Sequence, residues 1–306
     1  MFPVESQAQI RSEPRIPLGT ALGPVRLAVT DRDRALAVWR DVVGLAVVAE
    51  SAGELALGVG SQVLIELELG AVRPVVPHSL GLYHVALHVP TRRDLAAFAA
   101  RALHHRVRIS PTDHLVSEAI YLWDFDGNGI EITFETPERG TYGEPESGYY
   151  ARTVDGQAHS GREPIDLEDL LGELDGFAEP PPVLPVGTRV GHVHVHVNDL
   201  HEAMRFYRDG LGFGGLFLIA RFGMGDVRLN YMPHAVAFNV WAGPGARQPE
   251  AGSAGLRHFT IRLPDRAALE AVARRLADQG IATLAEEGGF SVKDPAGNLL
   301  RIRSAH

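Results

Sequence analysis

Apolar and polar residues alternate along several short runs of the chain, and four of these runs lead into stretches with helical spacing. Val193, Val195 and Val197 fill every second position of VGHVHVHV, as the side chains on one face of a strand do. After GLYHVALHV, the positions Leu95, Phe98, Ala99 and Leu103 recur at the three-and-four spacing of an amphipathic helix. The same order returns elsewhere. LGPVRLAVTDRDRALAVWRDVVGLAVVA at 22–49 matches VGHVHVHVNDLHEAMRFYRDGLGFGGLF at 190–217, with an Asp near the helix start, Trp39 or Tyr207 near its end, and a Gly stop. GLYHVALHVPTRRDLAAFAARAL at 81–103 matches GLRHFTIRLPDRAALEAVARRLA at 255–277. Their endings match too, as DFDGNGIEITF at 124–134 and DPAGNLLRIRS at 294–304.

These repeats predict four βαβββ modules, at about 22–70, 81–136, 190–242 and 255–304. The D-x-x-G-N turns between strands supply the Gly and Asn that positive backbone angles favour. Residues 138–188 interrupt the pattern, rich in Gly, Glu and Pro with a PPPVLP run, and read as an inter-domain linker. A short helical stretch at 166–174 reads as a solvated linker helix. The expected organisation is a first domain at 20–137, the linker, and a second domain at 189–304, in line with a length of 306 residues.

Composition narrows the chemistry. The chain has no Cys, which excludes disulfides, thiolate nucleophiles and thiolate metal sites, so a bound metal must be held by His and carboxylates. The 14 His are therefore the residues to follow. Imidazole with carboxylate suits Fe(II), Mn, Zn and Ni. A net charge of −9 with no basic stripe argues against a nucleic-acid partner. The opening MFPVESQAQIRSEPRIPLG has no secretion pattern, and no apolar run nears the roughly 20 residues of a membrane span, so a cytoplasmic protein without a membrane partner is expected.

Paired βαβββ modules ending in D-x-x-G-N resemble the vicinal oxygen chelate superfamily, which includes glyoxalases, bleomycin-binding proteins and extradiol dioxygenases. The resemblance implies an α+β fold in which paired modules curl into two cup-like barrels, with ligands on the first and last strands. First-strand positions are Pro24, His84, His192 and His258; last-strand positions are Glu131 and Arg301, with Glu66 or Glu68 and Asn239 as looser fits. Pairing in chain order gives no cup with two His and a carboxylate. Pairing the middle modules brings His84, His192 and Glu131 together, the 2-His-1-carboxylate face of non-haem Fe(II) sites. Pro24, His258 and Arg301 then mark a metal-free companion cup.

The segment Thr112-Asp113-His114, LVSEA, Ile120-Tyr121, LW, Asp124, Phe125, Asp126, Gly127, NGI, Glu131 follows the extradiol dioxygenase signature, departing only at Phe125, where the family has Pro. Within the superfamily the chain looks most like bacterial catechol 2,3-dioxygenases. That resemblance implies Glu131 as metal carboxylate, Tyr121 and His114 reaching substrate hydroxyls, and His234 of MPHAVAFNVWAG as the acid/base histidine. It implies Fe(II), with Mn(II) compatible, a catechol and O2 as substrates, and a homo-oligomer. His194 and His196 share the strand face of His192 and read as supporting residues; His88, His104, His105 and His201 read as solvated. Two rival functions remain, a glyoxalase-type isomerase and a metal-free small-molecule binder. Glyoxalases use a fourth protein ligand where this chain has Asn239.

Overall fold

The computed structural model describes residues 7–143, 150–174, 180–230 and 232–304. A turn of helix, α1 (Gln7–Ile10), precedes the first module, which comprises β1 (Ala21–Val29), α2 (Arg32–Trp39), β2 (Ala46–Ser51), β3 (Glu54–Val59) and β4 (Gln62–Leu69). The second comprises β5 (Gly81–His88), α3 (Arg92–His104), β6 (Ser110–Asp113), β7 (Ser117–Trp123) and β8 (Gly129–Glu135). A small hairpin of β9 (Gly140–Gly143) and β10 (Tyr150–Thr153), then α4 (Leu167–Gly172), leads to the second half. There the third module holds β11 (Arg189–His196), α5 (Leu200–Met204), β12 (Gly214–Ile219), β13 (Met224–Leu229) and β14 (Met232–Asn239). The fourth holds β15 (Gly255–Leu263), α6 (Arg266–Asp278), β16 (Leu284–Glu286), β17 (Gly289–Lys293) and β18 (Leu299–Ser304).

Local chemistry sets these boundaries. Asp31, Thr91, Asp199 and Asp265 each cap the helix that follows the first strand of a module, accepting a first-turn backbone N–H. Thr91 and Asp94 complete a reciprocal capping box. The matching D-x-x-G-N turns carry Gly127 and Gly297 at φ +93° and +88°, a region that favours glycine. Asp124 accepts from the N–H groups of Asp126 and Asn128, and Asp294 from those of Ala296 and Asn298. The aromatic residue of the preceding module then meets the same carboxylate. Trp39 Nε1 donates to Asp124 Oδ2 at 3.1 Å, and the Tyr207 hydroxyl to Asp294 Oδ2 at 2.9 Å.

The modules pair crosswise in two eight-stranded sheets. One runs β16-β17-β18-β15-β1-β4-β3-β2, joining the fourth module to the first; the other runs β12-β13-β14-β11-β5-β8-β7-β6, joining the third to the second. Both joints are antiparallel pairs of first strands, β1 with β15 and β5 with β11. Each sheet therefore draws on both halves of the chain. One apolar core, with Trp39, Tyr207, Phe98, Phe213, Phe238 and Phe259 fully buried, runs through both sheets and the helices.

Two features of the interrupting segment depart from a simple linker. α4 is docked on α3 with Leu170 fully buried, and Arg92 bridges Glu118, Asp169 and Glu173, so the helix is held rather than solvated. Glu163 pairs with Asp113 by reciprocal backbone hydrogen bonds and adds an extra bridge to the edge of the second sheet. Among the described residues no helix is long and apolar enough to cross a membrane.

Candidate active site

The joint between β5 and β11 places His84 and His192 on neighbouring strands, and β8 lies on the other side of β5 with Glu131 beside Ala86. All three side chains are buried, at 5%, 2% and 2% exposure. His84 Nε2 and His192 Nε2 are 2.8 Å and 3.1 Å from Glu131 Oε2 and 3.1 Å from each other. Ligand atoms about 2.1 Å from one metal and at right angles to each other stand about 3 Å apart. The triangle thus has the dimensions of one face of a coordination octahedron, and the donor set fits a divalent metal.

Electrostatics agree with a ligand set. Burial, then the nearby His234, pushes His192 down to about 3, leaving the neutral imidazole that a metal requires. Burial opposes ionisation of Glu131, but His192 and His84 outweigh it and hold the carboxyl well below its usual range.

A cavity of about 520 Å³ opens over this triangle. Tyr83, Phe217, Phe222 and Trp241 give it an aromatic wall, and Ser160, Gly161 and Arg162 close one side. The mouth residues Phe222, Met224 and Trp241 and the interrupting segment therefore both bound the space open to a ligand.

His114 and Tyr121 form one unit of the cavity wall. His114 Nδ1–H donates to the Gly161 carbonyl at 2.8 Å, so its Nε2 accepts from the Tyr121 hydroxyl, also at 2.8 Å. Tyr121 lies opposite Glu131 in the β7–β8 register; burial, then the Glu131 charge, raises its pKa well above the usual value and keeps the phenol protonated. His234, on β14, packs against the His192 ring with centroids 4.0 Å apart and the ring planes tilted by 36°. Its Nδ1 is 3.2 Å from buried Asp226 Oδ2. Burial works against the His234 cation, but Asp226 outweighs it and lifts the group to about 9, while burial raises Asp226 to about 6.

The six residues singled out from sequence thus surround one cavity. His194 and His196 are tied to Asn239, whose Nδ2 donates to His194 Nε2 at 2.8 Å and whose Oδ1 accepts from His196 Nδ1 at 2.7 Å. His104 and His105 are exposed, but His88 is not solvated as expected from sequence. It is buried at 1% exposure, with Nε2 3.2 Å from His192 Nδ1. Sequence reasoning passed over Asp226 and Glu135 as well. His88 carried a usable signal, because four residues beyond His84 on one strand it shares that residue's face; Asp226 carried none.

In the other sheet His258 is buried beside Arg26 and Arg301, and burial, then Arg301 and Arg26, pushes it down to about 4. Arg301 pairs with Glu286 at 3.2 Å and Arg26 with Glu68 at 3.2 Å. Among the described residues that cup has no cluster of three metal-donor side chains.

A family model described as the Glyoxalase/Bleomycin resistance protein/Dioxygenase superfamily matches residues 21–134 and 189–302. The chain belongs to this superfamily. A superfamily relative from Bacillus subtilis (strain 168), named catechol-2,3-dioxygenase, is 35% identical over 279 residues, covering 90% of this chain and 94% of the relative. Among solved structures, a protein from Bacillus subtilis subsp. subtilis str. 168 provisionally assigned as a dioxygenase superposes with a TM-score of 0.64 at 13% identity, covering 96% of this chain and 86% of that one. A mutant glyoxalase I from Zea mays superposes with a TM-score of 0.57 at 13% identity, covering 93% and 94%. At such identities the two structures speak for the α+β fold of the superfamily alone.

Proposed function

We propose that the protein is an extradiol ring-cleaving dioxygenase that opens a catechol beside its diol with O2. His84, His192 and Glu131 would hold Fe(II) on one face; the same donors also suit Mn(II). When bound, the metal supplies open coordination positions for the two catechol oxygens and for O2, and the electron transfer that activates O2.

The observation that carries this reading is a buried face of two histidines and one carboxylate, with an amide and not a second carboxylate at the last-strand position of the partner module. A glyoxalase-type site needs a further carboxylate on the last strand of the partner module. Here that position is Asn239, an amide held by His194, His196 and the Trp241 N–H. The 35% identity to a catechol-2,3-dioxygenase points the same way.

The surrounding side chains have tasks that follow from their bonds. Asp226 fixes His234 through Nδ1 and holds it as the imidazolium, so that Nε2 would donate a proton to an oxygen gaining charge in the reaction and recover one from a substrate hydroxyl afterwards. Tyr121 offers its hydroxyl proton to whichever acceptor is stronger, His114 Nε2 at rest or a substrate oxygen gaining charge. His114 would position that phenol, itself anchored by the Gly161 carbonyl. The aromatic wall suits the flat ring of a catechol and excludes water from it.

Aerobic turnover after anaerobic Fe(II) reconstitution tests the proposal. A yellow ring-opened semialdehyde with stoichiometric O2 uptake is expected from catechol or its alkyl and chloro derivatives. Isomerisation of a hemithioacetal without O2 uptake, in place of catechol cleavage, would overturn it.

A further inference from the structure

The second ring nitrogen of His192 opens onto a buried path that the catalytic reading leaves unused. His88 Nε2 lies 3.2 Å from His192 Nδ1. On its far side His88 Nδ1 lies 3.1 Å from Glu135 Oε1, close enough to pair but not aligned as a hydrogen bond, and neither of these two buried atoms has another hydrogen-bond partner. His88 is 1% exposed and the Glu135 side chain 19% exposed, so water does little to satisfy either.

The backbone is shaped to admit this ring. The β5–β11 register slips between Val190, paired with Leu87, and His192, paired with Ala86, leaving Gly191 unmatched in a bulge. A Cβ at Gly191 would stand 1.8 Å from His88 Cδ2, so the imidazole occupies the space that any other residue would fill. The sequence GH at 191–192 thus combines the ligand with the slot for its support.

We propose that Glu135, His88 and His192 form a hydrogen-bonded chain that positions and strengthens the metal ligand. The inference rests on the reading that His84, His192 and Glu131 hold a metal. A metal on His192 Nε2 leaves the proton on Nδ1, where it can only be donated. His88 Nε2 accepts it, which puts the His88 proton on Nδ1, facing the Glu135 carboxylate. Each nitrogen then has one defined role, the His192 ring cannot rotate off the metal, and the carboxylate makes the imidazole a better donor. His88 and Glu135 are positioning residues, since neither reaches the cavity that a substrate would enter.

Anaerobic Co(II) titration of the intact protein, followed by the visible bands of the bound ion, separates this chain from a packing role. His88→Ala is expected to raise the Co(II) Kd about 10–100-fold and to shift the bands. His88→Gln should recover most of the affinity, because its amide oxygen can accept from His192 Nδ1–H. Gly191→Ala removes no polar group but displaces the His88 ring, and should weaken Co(II) binding to a similar degree. Unfolding midpoints of the metal-free variants show that each is folded. A folded His88→Ala with the wild-type Kd and bands would overturn the chain while leaving the dioxygenase reading intact. Wild-type protein that binds no Co(II) would overturn both, and one that binds it through this chain but cleaves no catechol would overturn only the dioxygenase.

Discussion

An ionised carboxylate is not buried against two imidazoles at 3 Å spacing without a reason, since burying an isolated carboxylate is costly. The proposed reason is a donor face of His84, His192 and Glu131, a set of side chains that suits a cation between them. Replacing Glu131 by Gln keeps the shape and removes the charge. Stoichiometric Fe(II) binding and catechol cleavage are both expected to be lost, with turnover falling at least about 1,000-fold, measured by metal analysis and O2 uptake. Asp226 acts one step further out. Asp226→Asn leaves the three donors untouched, so metal content should stay at wild-type level while kcat falls about 100-fold through a misoriented His234. Loss of metal in that variant would show instead that His234 and Asp226 support the donor face. Five of the six candidate residues could be found by their place in repeats and signature, His234 by resemblance of its strand.

At the scale of elements, the interrupting segment and α3 bind the second module to its surroundings. Arg101 on α3 is buried, and its guanidinium donates to the carbonyls of Val42, Val43 and Pro181. Those acceptors come from the turn between α2 and β2 of the first module and from the approach to the third, so one side chain joins three parts of the chain. Arg101→Met keeps the packing stem but strands the carbonyls, and should destabilise the protein by about 2–3 kcal/mol in urea unfolding with little change in kcat. Leu170→Ala in α4 removes a fully buried side chain and should cost about 3 kcal/mol. Were α4 a solvated linker helix, the same substitution would be nearly silent. The Gly, Glu and Pro content of 138–188 pointed to a linker because composition registers the absence of a long periodic pattern. It does not register that a short segment can be pinned through Glu163 to a sheet edge and through Gly161 to His114 in the cavity wall.

Across the whole molecule, crosswise pairing makes the two halves depend on each other. β1 and β5, with Val25, Leu27, Val85 and Leu87 buried, find their antiparallel neighbours β15 and β11 only in the second half. Expressed alone, residues 1–137 and 180–306 would each expose two apolar sheet edges and should aggregate or remain unfolded by circular dichroism. Co-expressed, they should assemble and recover metal binding; an independently folded half would contradict this. The sequence by itself determined the four modules, their helix caps and glycine turns, and the residue types of the site, because alternation, capping and turn chemistry act over a few neighbouring residues. Ligand positions even favoured the middle modules as partners. Only tertiary structure decided that Gly161 anchors His114, that Asp226 orients His234 and that His88 fills the slot at Gly191, because those contacts join segments with no shared period, motif or spacing along the chain.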